Sequence, residues 1–179
     1  MIDNEYAYEV SYNFDLDYIR EMVQRNQFKH RPELAGHQRL VDDDPYLVSL
    51  KKKFPFLSKM YNIYTVYGKG NIPMHIDAAR DCAFNIPISN TIDSDTIFYR
   101  LKDETLEVEY SENRIYNVVK SPVVEMYRFN LLTPTLINNS VPHEVINHSI
   151  ATRVILSWSV NKQHSFESAK DLFKKMTNE

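Results

Sequence analysis

The chain is short of almost everything that would assign it quickly to a specialised class. It has one cysteine, Cys82, in 179 residues, so no intrachain disulfide can form and a reducing compartment is expected. Glycine occurs only three times, at 36, 68 and 70, and two of the three fall in "YGKGNIP", where a tight reversal is expected. No apolar run approaches the roughly 20 residues of a membrane span. The opening "MIDNEYAYEV" has neither a basic n-region nor an apolar h-region, so a signal peptide is not expected and the reading is cytoplasmic. The net charge of −3 gives no electrostatic reason to expect a polyanionic partner. What remains is 43% hydrophobic and 25% charged, the balance of an ordinary globular protein, with length for one domain.

Hydrophobic periodicity divides the chain into three parts. Residues 1–60 read as a mostly helical flank. In "DLDYIREMVQRNQF", Leu16, Ile19, Met22 and Val23 recur at three- and four-residue spacing, and "DDDPYLVSLKKKF" offers Asp44 as N-cap with Pro45 at the first helical position. The run Lys51–Lys53 reads as a solvated face and Asp42–Asp44 as a loop and cap, neither being a nucleic-acid patch or a second metal site. Residues 61–162 change period. "NIYTVY" (62–67), "AFNIPIS" (83–89), "DTIFYRL" (95–101), "TLEVEY" (105–110), "RIYNVV" (114–119), "VVEMYRFN" (123–130) and "RVILSWSV" (153–160) are short β-branched and aromatic segments, as in a sandwich or barrel. Residues 163–179 form a helix capped by Ser165, with Phe166, Ala169, Leu172, Phe173 and Met176 on one face. The expected class is mainly β with flanking helices.

"IPMHIDAARD" (72–81) carries the first chemistry. With six histidines and twelve aspartates, an accidental His-x-Asp is expected roughly 0.4 times, so the pair alone decides little. If the segment is extended, however, His75 and Asp77 point to one side and Met74 and Ile76 to the other. An imidazole and a carboxylate then converge, two-thirds of a facial triad for non-haem iron. The third ligand should be a distant histidine: His30, His37, His143, His148 and, near the tail, His164 are available. His148 reads as an exposed loop residue that could serve only if "PHEVINH" were out of register. His143 stands out because Arg153, ten positions on, opens the most convincing strand. There Arg153, Ile155, Ser157 and Ser159 share one face, and Val154, Leu156, Trp158 and Val160 the other. A guanidinium on a face of small and apolar neighbours is costly unless an anion pairs with it. Its planar fork of donors suits a carboxylate. Arg80 reads as a surface salt-bridge residue with substrate or cosubstrate contact as the alternative, and Cys82 as buried filler.

His-x-Asp, a distal His and an Arg ten residues beyond it resemble the 2-oxoglutarate- and Fe(II)-dependent oxygenases, nearest the aspartyl/asparaginyl β-hydroxylase-like branch. His143-Glu144-Val145 with Arg153 matches that branch, and Ala83-Phe84-Asn85-Ile86-Pro87-Ile88 keeps the frame of its Arg-x-His-x-Pro-Leu with Ala and Asn substituted. Branch members often lack the carboxylate ligand that Asp77 would supply here. The resemblance covers roughly residues 60–162. It implies a double-stranded β-helix, a jelly-roll or cupin-like barrel. It further implies Fe(II) held by His75, Asp77 and His143, and 2-oxoglutarate gripped by Arg153 with Asn85 or Tyr64 completing its contacts. O2 is the co-oxidant, and a small molecule or an amino-acid or peptidyl side chain is the substrate. Nucleic-acid demethylation ranks lower, because such enzymes tend to carry a second arginine on the strand that here reads "RVILSWSV". Two other classes compete. One is a non-oxygenase cupin (isomerase, hydrolase or lyase) using Zn²⁺ or Mn²⁺ on the same three ligands. The other is a barrel without turnover, which leaves the converging polar residues unexplained.

Overall fold

The alternation in "RVILSWSV" organises the molecule. A computed structural model describes residues 1–25, 36–41, 44–78, 80–110 and 116–177, with the backbone alone for 36–40. Its elements are β1 (Ala7–Glu9), α1 (Leu16–Arg25), β2 (Gly36–Leu40), α2 (Pro45–Lys53), β3 (Leu57–Val66), β4 (Gly70–Asp77), β5 (Cys82–Ser89) and β6 (Ser94–Leu101). There follow β7 (Val108–Tyr110), β8 (Tyr116–Val119), β9 (Val123–Phe129), β10 (Thr135–Asn138), β11 (His143–Asn147), β12 (Arg153–Val160) and α3 (Phe166–Thr177).

The strands form two six-stranded antiparallel sheets, ordered β1-β10-β5-β12-β3-β2 and β7-β8-β4-β11-β6-β9. Facing each other, they make a double-stranded β-helix. In the first sheet β12 lies between β3 and β5, with Leu156 opposite Ile63 on one side and Ile86 on the other. Period-two alternation sends Leu156, Trp158, Phe84, Ile86, Tyr61 and Ile63 outward, where the helices cover them. Ile19, Met22 and Val23 of α1, Leu47 and Leu50 of α2, and Phe166, Ala169 and Phe173 of α3 complete this larger core. Trp158 is fully buried, and its indole N–H donates to the Ser58 carbonyl at 2.8 Å, so its one polar atom is satisfied. A smaller core of Ala83, Ile155, Ile137, Phe98, Phe129 and Leu131 fills one end of the space between the sheets.

Local signals act as their chemistry dictates. Asp44 accepts the N–H groups of Tyr46 and Leu47 at 2.9 and 3.1 Å and caps α2 behind Pro45, while Lys51–Lys53 complement its C-terminal dipole. Ser165 caps α3 through the Ser168 N–H. Residues 1–60 are less helical than their periodicity suggests: besides α1 and α2 they supply β1, β2 and the start of β3. Asp42 and Asp43 lie outside the described residues. Among the described residues no helix is long and apolar enough to cross a membrane.

Between β3 and β4 the chain passes from one sheet to the other. Gly68 takes φ +53°, and a Cβ on Gly70 would sit 2.9 Å from the Tyr67 carbonyl oxygen, so this crossing needs glycine at both positions. Buried Asn147 holds the turn, its amide donating to the carbonyls of Gly68 and Ala151 at 2.8 Å each.

Candidate metal centre and anion pocket

β4 emerges from that turn carrying His75 and Asp77 into the space between the sheets. β11 pairs with it so that His143 lies directly opposite His75, and the ring centroids are 4.2 Å apart. Two histidines 68 positions apart in sequence thus become cross-strand neighbours, with Asp77 one pleat further along β4. One donor atom from each of His75, Asp77 and His143 lies within 4.8 Å of the other two, a spacing that could hold a metal ion.

The same local device orients both imidazoles. The His75 Nδ1 lies 2.7 Å from the Pro73 carbonyl oxygen, and the His143 Nδ1 lies 2.9 Å from that of Val141. A carbonyl only accepts, so each Nδ1 is the donor in its contact and each Nε2 is left for another partner. Burial, reinforced by the neighbouring His75, pushes the His143 pKa down to about 3, so this ring is a neutral donor at ordinary pH.

Asp77 is held differently. Burial alone would raise its pKa, but the Arg80 guanidinium, aided by the facing His75, overcomes this and keeps the carboxyl well below the usual carboxylate range. Arg80 Nε donates to Oδ2 at 2.6 Å, the Asn139 amide donates to the same oxygen, and Oδ1 lies 3.5 Å from His75 Nε2. Arg80 is not the surface residue its sequence context suggests: its side chain is 15% exposed. Its Nη1 donates to Ser157 Oγ at 2.9 Å, and its guanidinium lies 5.5 Å from the centre of the Tyr64 ring.

Behind this cluster lies a cavity of about 350 Å³. Arg153, 2% exposed, forms part of its wall with Val66, Thr96, Val145 and Ile155. Its Nε donates to Ser94 Oγ at 3.0 Å, and Ser94 passes the bond on to the Thr91 carbonyl. Among the described residues no carboxylate pairs with Arg153. Burial therefore pulls its pKa down to about 10, the signature of a desolvated cation without a counter-charge. The polar face of β12 read from sequence thus lines a cavity, with Arg153 at one end and Ser157 two pleats away.

Asn85 and Tyr64 both line the cavity. Asn85 sits opposite Ser157 on β5, and its amide oxygen is buried without a hydrogen-bond partner among the described residues. Tyr64 supports Arg80, and burial raises its phenol pKa. His148 lies at the surface beside Asp95, 2.9 Å away, and His164 beside Ser168. His30 falls outside the described residues, and for His37 only the backbone is described. Cys82 is buried, its thiol pushed up to about 12, and so is no nucleophile. Three contributors carry no sequence signal. They are Asn139 behind Asp77, Ser94 behind Arg153, and Tyr116, whose ring lies 4.8 Å from that of His75.

No protein-family model matches the sequence, and neither does any curated protein. Solved structures do resemble the fold. The non-haem α-ketoglutarate-dependent carbocyclase SnoK of nogalamycin biosynthesis superposes with a TM-score of 0.51 at 10% identity, over 86% of this chain and 80% of that one. A prolyl-4-hydroxylase from Pseudomonas putida gives 0.47 at 10% identity, over 88% and 93%. Vicilin from the hazelnut Corylus avellana gives 0.40 at 11% identity, over 72% and 28%. At these identities the likeness is one of fold, and the fold is the double-stranded β-helix of the cupin and jelly-roll type.

Proposed function

We propose that the protein is a non-haem Fe(II)- and 2-oxoglutarate-dependent oxygenase that hydroxylates a small molecule or an amino-acid or peptidyl side chain. One observation carries this reading: two imidazoles and one carboxylate converge beside a cavity that also contains a buried guanidinium with no carboxylate partner among the described residues. Two nitrogens and one oxygen on one side of a point suit octahedral Fe(II) and leave positions for exchangeable ligands. A dicarboxylate that reaches both the metal and Arg153 answers both unmet needs. That SnoK is α-ketoglutarate-dependent is compatible with this reading.

In the proposed mechanism His75, Asp77 and His143 would hold the Fe(II). Arg153 would take the distal carboxylate of 2-oxoglutarate, while Ser94 fixes its Nε. Asn85 and Tyr64 contact the cosubstrate. Bound Fe(II) supplies the oxidising chemistry, in which 2-oxoglutarate, O2 and R–H become succinate, CO2 and R–OH. Val66, Val145 and Ile155 give the cavity an apolar wall.

The test is succinate formation from 2-oxoglutarate by protein supplied with Fe(II) and O2. Turnover without added substrate should be slow, dependent on Fe(II), and abolished in Asp77→Ala and His143→Ala. Succinate formation that is unchanged in both variants would rule the assignment out.

A further inference from the structure

Arg80 and Asn139 both donate to a single carboxylate oxygen, Asp77 Oδ2, whereas among the described residues Oδ1 faces His75 Nε2 at 3.5 Å. We propose that Arg80 is a positioning residue that, together with Asn139, occupies Asp77 Oδ2 and reserves Oδ1 alone for the cation. The inference rests on the metal-site reading above.

The geometry is over-determined. Asn139 is pinned to the end of β4 by main-chain bonds: Asp77 N–H donates to its carbonyl at 3.2 Å, and its own N–H donates to the Asp81 carbonyl at 2.8 Å. Because Asp77 is a carboxylate, the Asn139 NH₂ must face it, which fixes the amide orientation. Arg80 is fixed in turn by Ser157 and by the Tyr64 ring beneath it. Its guanidinium therefore joins Asp77 of one sheet to Ser157 and Tyr64 of the other. A charged group so enclosed is not a weak surface pair: removing one partner leaves the other buried and unpaired.

This arrangement has a consequence for binding. A carboxylate can approach a cation through one oxygen or both. Two donors on Oδ2 oppose the two-oxygen mode and fix the rotamer that turns Oδ1 toward His75 Nε2. Lysine keeps the charge, but its single ammonium cannot serve Asp77 and Ser157 as a diverging fork does.

The test is a Co(II) titration of the full chain, read by the visible d–d spectrum, with thermal unfolding of the metal-free proteins as a folding control. Arg80→Met and Asn139→Ala should each bind Co(II) about 10- to 100-fold more weakly than wild type. Each should also show an altered band pattern from the changed Asp77 contribution. Arg80→Lys should recover part of the affinity without restoring the spectrum. Should Arg80→Met fail to fold, Asn139→Ala and Arg80→Lys decide the question by the same criteria. Wild-type affinity and spectrum in the folded variants would overturn the inference while leaving the metal site intact. Failure of wild type itself to bind Co(II) would overturn both.

Discussion

His75 and His143 stand opposite each other across the β4–β11 ladder, and each gives its Nδ1 proton to the carbonyl two residues before it. The strand backbone therefore orients both rings through Nδ1. His143→Ala should reduce Fe(II) or Co(II) binding by at least about 100-fold, since a facial triad cannot be completed from one histidine. His148→Ala, altered five residues away at the surface, should bind as wild type does. Isothermal titration of the two variants checks this, and equal losses in both would contradict the assignment of the third ligand.

Arg153 sets function against stability. A desolvated cation with no anionic partner costs free energy in the ligand-free protein. Arg153→Met fills a similar volume without charge and should stabilise the ligand-free fold by on the order of 1 kcal/mol or more in urea denaturation. The same change should weaken 2-oxoglutarate binding by on the order of 100-fold and leave metal affinity near wild type. A variant that is less stable yet binds 2-oxoglutarate normally would show Arg153 to be structural.

The metal-free protein should lose stability in acid through His143. Its pKa is 6.5 as an ordinary side chain and about 3 in the fold. As pH falls below 6.5 the unfolded chain takes up a proton that the folded ring refuses, so stability declines until about pH 3. The slope approaches roughly 1.4 kcal/mol per pH unit for one proton. Asp77 adds to the loss below its ordinary 3.8, because its folded value is lower still and its contribution disappears as that carboxylate protonates. Urea midpoints between pH 4 and 7 should be steeper for wild type than for His143→Gln. Parallel lines would mean that His143 protonates freely in the fold.

What could be read in the sequence follows the range of the forces involved. β12 is legible to the residue because its alternation is strict and both of its faces are used. Asp44, Pro45 and Ser165 are legible because a cap acts within one turn. β2 ("GHQRL") and β10 ("TLIN") have no such pattern, since their pairing partners rather than their own side chains make them strands. β1 has only three residues. At the site, His75, Asp77, His143 and Arg153 were recognisable by type and spacing. Asn139 was not, because its value lies in a contact 62 positions away with a carboxylate that sequence shows as already spoken for. Arg80 misleads for the opposite reason. Three residues from Asp77 it looks like a local surface pair, and only the closure of β12 over it makes it buried.

The most direct test of the account is an anaerobic titration of the metal-free protein with Fe(II) and 2-oxoglutarate, followed in the visible range. Simultaneous chelation of 2-oxoglutarate by the metal and capture by Arg153 should produce a charge-transfer band that requires both additions. The band should be lost in His143→Ala and should demand far higher 2-oxoglutarate in Arg153→Met. A wild-type protein that binds Fe(II) but shows no band at saturating 2-oxoglutarate would contradict the account.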